Sequence, residues 1–243
     1  MAERVLVTGG TGFLGQALVR ALRDQGRAVR VLVRPRQNRV TPARWERLRV
    51  QGVEMVIGDV LDKPAAWAAV QDVTHVFHLA GRLYVPGAPN REYEQLHVEG
   101  TRNVLTACAE SKAIRAIVHC STTGVLGPTG ETPAAEDAPM RPGNIYERTK
   151  AAGEQLALAL AHRDGLPLSV ARPALVYGPG DRHLLGWFRA IKRGYYRVVG
   201  SGDSLLHPIY IDDVVDGLLR CAQTPEAVGR VYHLAGDRAL PTR

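Results

Sequence analysis

The sequence has little cysteine: Cys108, Cys120 and Cys221 are the only three in 243 residues. They are odd in number and widely spaced, and no pair has metal-ligand spacing, which excludes a disulfide framework and a zinc cluster. They read as small buried hydrophobes in a reducing compartment. His183, His207 and His233 show no metal spacing either, so no metal is expected. No apolar run approaches the ~20 residues that a membrane span needs. Met1 to Arg4 lead straight into a strand-like run, so no signal peptide is expected and the expected location is cytoplasmic. Lysine is scarce as well: Lys63, Lys112, Lys150 and Lys192 are the only lysines among 31 basic residues, so arginine carries the net charge of +7. The arginines are scattered apart from Arg30, Arg34, Arg36 and Arg39. With no nucleic-acid motif and no interleaved aromatic stripe, no nucleic-acid partner is expected. The basic balance is left to a basic proteome or a small anionic ligand.

Glycine, by contrast, is concentrated at the start. "TGGTGFLG", residues 8–15, is half glycine. "RVLVTGG" before it reads as a strand entering a turn. After it, Phe13, Leu14, Ala17, Leu18, Ala21 and Leu22 are spaced for a helix that Gly26 closes. Further strand-like runs are "RAVRVLVR", "VEMVIGD", "VTHVFHLAG", "IRAIVHCST" and "PLSVARP". Helical patterns cover residues 64–71, 91–111 and 145–164. Strands alternating with helices predict a parallel sheet built from right-handed crossovers, the α/β doubly wound Rossmann fold. After residue 175 the chain turns loop-like, with short helices at about 183–193 and 212–223. The expected division is a nucleotide-binding domain over 1–174 and a small C-terminal substrate lobe over 175–243.

A strand–glycine turn–helix suits a dinucleotide. Side chains at Gly9 or Gly12 would obstruct a pyrophosphate, and the helix N-terminus offers free N–H groups and a positive dipole end. Gly15 lets helix and strand pack closely. At the end of the second strand a carboxylate would select NAD. "VLVRPR" places Arg34 there with Arg36 beyond, and guanidinium groups suit a 2′-phosphate. The expected cofactor is therefore NADP, with NAD left open.

The spacing Gly9-x-x-Gly12-x-x-Gly15 with Phe13-Leu14, followed by Tyr146-x-x-x-Lys150, resembles the extended short-chain dehydrogenase/reductase family, which includes the NAD-dependent epimerases and dehydratases. The resemblance spans nearly the whole chain. It implies that Thr11, Gly12, Phe13 and Leu14 contact the cofactor's phosphates. "GDV" (58–60) would contact adenine through Asp59 and Val60, and "HLAG" would lie beneath the cofactor through Leu79, Ala80 and Gly81. "RPALVYGPGD" would add contacts from Pro173, Leu175 and Val176. Tyr146 becomes the acid–base. Lys150, one helical turn on, would favour its phenolate and bond the nicotinamide ribose. Thr122, with Ser121 beside it, would bind the substrate's carbonyl oxygen. A homodimer through helices at about 91–111 and 145–164 is also implied. The small lobe reads as shortened relative to the family.

Three positions depart from that pattern. His97 stands where the family's central helix usually carries asparagine. A histidine there could hold the same water or backbone group, or simply fill space. His78 reads as a core residue. Leu175 and Leu206 stand where sugar-nucleotide enzymes usually have the asparagine and arginine that grip a diphosphate. Their loss favours a small, apolar substrate without a nucleotide, with Tyr84 as a pocket wall. The pattern is similar to the hydroxysteroid dehydrogenase and dihydroflavonol reductase branches. The expected activity is hydride transfer to or from a carbonyl or secondary alcohol. The alternatives are a sugar epimerase or dehydratase, and a non-catalytic dinucleotide-binding protein.

Overall fold

The computed structural model describes residues 3–35, 42–130, 132–195, 197–198 and 200–242. In chain order its first half comprises β1 (Arg4–Thr8), α1 (Phe13–Asp24), β2 (Ala28–Val33), α2 (Pro42–Val50), β3 (Glu54–Ile57), α3 (Lys63–Val70) and β4 (His75–His78). Next come α4 (Asn90–Glu94), which runs through a π turn at Gln95–Glu99 into α5 (Gly100–Glu110), then β5 (Ala116–Cys120) and α6 (Ile145–Asp164). The remainder is β6 (Leu168–Pro173), β7 (Leu175–Tyr177), α7 (Leu185–Lys192), β8 (Leu205–Leu206), β9 (Pro208–Tyr210), α8 (Ile211–Gln223), β10 (Val231–Leu234) and β11 (Leu240–Pro241).

Seven strands form one sheet in the order β10-β6-β5-β4-β1-β2-β3, and every pairing in it is parallel. The two-residue period of a strand divides the core between its faces. Val5 and Val7 of β1 pack with Leu18 of α1 and Leu218 of α8. Leu6, between them, packs on the other face with Leu105 of α5 and Leu168 of β6. Each such side chain stabilises the fold by roughly 1.5–3 kcal/mol. Strands covered on both faces read as nearly continuous apolar runs, as β1 does and as β2 does apart from Arg30.

Two features lay outside the sequence reading. α2 has no clear periodic signature, because charged residues are interleaved through "PARWERLRV" and its seating rests largely on Leu48, which is buried, and Trp45, partly buried. β10 and α8 come from beyond residue 174, yet β10 is the edge strand beside β6 and α8 packs on β5 and β6. The main sheet and its covering layers therefore draw on chain from both sides of that position. α8 covers the sheet because Ile211, Val214, Val215, Leu218 and Leu219 fall on one helical face. Two small ladders, β7 with β9 and β8 with β11, stand apart from the main sheet.

Candidate active site

The turn from β1 into α1 is built by close approach. Gly9 has φ +73°, and a Cβ there would lie 2.7 Å from the Leu79 carbonyl oxygen and 2.8 Å from the Ala80 nitrogen. A Cβ at Gly15 would lie 2.2 Å from the Gly9 carbonyl oxygen. Both glycines are thus needed by the backbone itself. Gly12 caps α1 without a side chain, and its N–H donates to the Gly9 carbonyl at 2.9 Å. Gln16 braces the loop by donating to the Thr11 carbonyl at 2.9 Å. The first turn of α1 carries no acidic residue. Its unpaired N–H groups and positive dipole end therefore meet no competing anion from that turn, and a cradle that a side chain would fill fits a pyrophosphate.

The other expected cofactor residues surround this turn. Leu79 and Ala80 touch it through their backbone, as the Gly9 distances show. The Leu79 N–H donates to the Thr8 carbonyl at 3.2 Å, and the Ala80 N–H to Thr8 Oγ1 at 3.3 Å. Gly81 follows, exposed. Phe13 and Leu14 are partly buried, and a Cβ at Gly180 would lie 3.9 Å from the Phe13 ring. Asp59 shapes the turn after β3, its carboxylate accepting from the Leu61 N–H at 3.0 Å. The Val60 side chain is buried in the core, and its carbonyl accepts from Asn103 Nδ2 at 3.0 Å, so it holds the turn rather than offering a side chain. Arg34 is exposed just beyond β2; Arg36 lies outside the described residues. Pro173 is buried at the end of β6, and Leu175 and Val176 lie in β7, partly buried.

Across the sheet, β5 and α6 present the chemistry. Asn144 caps α6, its side chain accepting from the Glu147 N–H at 3.0 Å while Glu147 accepts from the Asn144 N–H at 3.3 Å. This reciprocal cap fixes the turn that carries Tyr146. Thr122 follows β5, and its Oγ1 accepts from the Gly124 N–H at 3.2 Å. That leaves the hydroxyl proton to donate. The Thr122 side chain lies near enough to the Tyr146 phenol to oppose the upward shift that burial causes. Ser121 is buried, with no protein partner for its hydroxyl among the described residues, so the two neighbours are not interchangeable: Thr122 faces the phenol. Lys150 is buried and donates to the Cys120 carbonyl at 2.6 Å.

One expectation is corrected. An ammonium one turn away was expected to favour the Tyr146 phenolate. Instead burial pushes the phenol up to about 12, with Thr122 opposing the shift. Burial also lowers the Lys150 ammonium. Desolvation is the largest cause for both side chains, and Lys150 is not among the groups that move the phenol. Tyr84 lies half-exposed on the loop after β4, and Leu206 lies in β8, paired with Leu240.

The sequence and the fold have counterparts among known proteins. The description "NAD dependent epimerase/dehydratase family" matches residues 5–235. The chain belongs to that family. It is 35% identical to a 2-alkyl-3-oxoalkanoate reductase of Stenotrophomonas maltophilia (strain K279a), over 99% of this chain and 72% of that protein. It is 32% identical to a protein of the same name from Shewanella oneidensis, over 98% of this chain and 63% of that one. A UDP-glucuronic acid 4-epimerase from Bacillus cereus, solved with UDP-glucuronic acid and NAD, superposes with a TM-score of 0.85 at 26% identity, covering 98% of this chain and 79% of that one. The chain thus stands among NAD(P)-dependent oxidoreductases and epimerases. Among the described residues no group of histidines, cysteines and acids could hold a metal, and no helix is long and apolar enough to cross a membrane.

Three buried histidines, His78, His97 and His119, lie in the interior near Tyr146 and Lys150. His78 lies between Thr8 Oγ1, 2.8 Å from its Nδ1, and Thr101 Oγ1, 3.1 Å from its Nε2. The His119 ring stacks against it at 5.4 Å, with no protein hydrogen-bond partner among the described residues. His97 sits in the π turn, buried. Burial first, and the Lys150 charge second, lower His78 and His97 to about 3 and hold His119 well below 6.5. In the unfolded chain all three titrate near 6.5. Below that pH the unfolded state binds more protons, so the stability these groups allow is full above 6.5 and is lost as pH falls toward 3. Each contributes about 1.4 kcal/mol per pH unit. Urea midpoints should therefore fall steeply between pH 6.5 and 5, and His119→Gln should flatten the slope by one proton. A midpoint that does not change across that window would show that these histidines are not buried as neutral rings.

Proposed function

We propose that the protein is an NAD(P)-dependent reductase that transfers hydride to a ketone of a small, apolar substrate. The observation that carries this reading is the placement of the Thr122 hydroxyl near the buried Tyr146 phenol, one helical turn from the buried Lys150. Reduction of a carbonyl needs a proton donor at the oxygen and a second donor to steady the charge that develops there. Tyr146 supplies the first and Thr122 the second. Lys150, anchored on the Cys120 carbonyl, lies one helical turn from Tyr146 and would hold the nicotinamide ribose. The glycine cradle, Phe13, Leu14 and the 79–81 stretch would hold the rest of the dinucleotide, with Asp59 at the adenine. The bound nicotinamide supplies the hydride. Leu175, Leu206 and Tyr84 support an apolar substrate, in keeping with the oxoalkanoate reductases that the chain resembles.

Arg34, exposed at the end of β2, supports NADP through a charge-assisted bond to a 2′-phosphate. We assign the substrate lobe to the loops and small ladders beyond 174, excluding α8 and β10. We further place the protein in the cytoplasm, with two copies joined through the outer faces of α4–α5 and α6. The likeness to the 4-epimerase supports a second reading, a sugar-nucleotide epimerase that keeps its cofactor through the cycle.

Denaturing the purified protein and identifying any released dinucleotide, then titrating fresh protein with NADPH and NADH, tests the assignment. NADPH is expected to bind about tenfold or more tightly, the worth of one charge-assisted hydrogen bond. Tightly retained NAD would overturn the Arg34 argument and favour the epimerase. Binding of neither would overturn the cofactor assignment.

A further inference from the structure

We propose that His97 is a positioning residue that joins the substrate-side loop to the catalytic helix, its two ring nitrogens serving one element each. The inference rests on the reductase reading and extends it. The Arg82 N–H, on the loop after β4, donates to His97 Nε2 at 3.1 Å. Nε2 is therefore the acceptor nitrogen, and Nδ1 carries the proton. Nδ1–H points at Thr149 Oγ1, 2.8 Å away, and Thr149 sends its own proton to the Ile145 carbonyl at 2.8 Å. Every donor in the chain has an acceptor, and the chain ends in the first turn of α6, beside Tyr146. The imidazole also meets the Tyr146 ring edge-on at 5.7 Å.

The site is built for this link. Residue 97 lies at the centre of the π turn, an irregularity that aims one side chain out of the regular helical ladder. A Cβ at Gly153 would lie 2.3 Å from the His97 carbonyl oxygen, so only a glycine lets α6 come this close. The other end is equally fixed. Tyr93 Oη accepts from the Val85 N–H at 2.8 Å, and Arg82 pairs with Glu92, so the loop that carries Tyr84 is tied down on both sides of that residue. His97 ties this loop to the helix that holds the proton donor.

The geometry permits the two arms to be cut separately. Asparagine's amide nitrogen occupies the place of Nδ1, and glutamine's amide oxygen the place of Nε2. His97→Asn should keep the Thr149 bond and release Arg82; His97→Gln should do the reverse. In hydrogen-exchange measurements on the full chain, His97→Asn should speed exchange at residues 82–85 and leave the start of α6 protected. His97→Gln should speed exchange at the start of α6 alone. In steady-state ketone reduction, His97→Asn should raise KM about three- to tenfold with kcat retained. His97→Gln and Thr149→Val should lower kcat by a similar factor, the worth of one hydrogen bond. Cofactor affinity should not move. Uniform loss in all three variants, in proportion to their melting temperatures, would overturn the link, and so would unchanged exchange at both elements. Exchange needs no turnover, so a wild-type protein that reduces no ketone would count against the reductase reading while the exchange pattern still decides the link.

Discussion

Tyr146→Phe is expected to lower kcat by roughly 10²–10⁴, the usual worth of a positioned general acid. The ring stays, and with it the edge-on packing on His97 at 5.7 Å and the capped first turn of α6. Only the phenolic proton is removed. Cofactor affinity should be unchanged, because the glycine cradle lies across the sheet and does not use the Tyr146 hydroxyl. Stopped-flow binding of NADPH beside steady-state turnover separates the two effects. Thr122→Val gives the companion result. It keeps the branched shape and removes the donor, with an expected loss of roughly 10²–10³ in kcat, the range for one donor at a developing oxyanion. A Tyr146→Phe protein within fivefold of wild type would show that the proton comes from elsewhere.

The second large effect concerns stability. Arg172 on β6 and Glu154 on α6 form an ion pair with both side chains almost fully buried, 3% and 0% exposed. Nη2 lies 2.6 Å from Oε1, and Nε lies 3.1 Å from both carboxylate oxygens. Nη1 donates to the Glu136 carbonyl at 2.9 Å and lies 3.2 Å from His233 Nε2 on β10. The guanidinium thus binds α6, β6, β10 and the segment before α6 at one point. Glu154→Gln leaves a buried cation facing a neutral amide. The expected cost is about 3–5 kcal/mol, because the desolvation of Arg172 is no longer offset. That corresponds to a fall of roughly 10 °C in Tm for a chain of this size. Replacing both residues together, Glu154→Leu with Arg172→Met, should be much milder, since no charge is then buried alone. A Glu154→Gln protein as stable as wild type would mean that water reaches the pair.

Much of this protein could be read along the chain. The β1 turn was legible because two of its requirements are local: Gly9 must take φ +73°, and Gly15 must clear the Gly9 carbonyl six residues away in sequence. The parallel sheet was legible because strands buried on both faces lose their polar alternation, and α6 because Tyr146 and Lys150 share a face of a strongly capped helix. Leu175 and Leu206 show what is missing relative to a diphosphate grip, which needs no coordinates to see.

What the sequence could not decide depends on residues brought together from far apart. Whether Tyr146 is held as phenol or phenolate is a contest between burial and a neighbouring charge, and burial is a property of the assembled layers. Thr122 is the candidate by register in the sequence, with Ser121 one residue away. Only the packing of the turn after β5 against α6 buries one hydroxyl and turns the other toward the phenol. Glu154 and Arg172 are ordinary surface types until α6 lies on β6. His97 reads as a departure from a motif, and its two bonds, to Arg82 and Thr149, join residues 15 and 52 positions away. The sequence by itself pointed to most of the elements and to the glycine cradle, through local backbone preference and periodicity, and to Tyr146, Lys150 and Thr122 through its resemblance to a known family. The tertiary structure alone decided their burial and their hydrogen-bond partners, because desolvation and hydrogen-bond geometry exist only once distant segments share an interior.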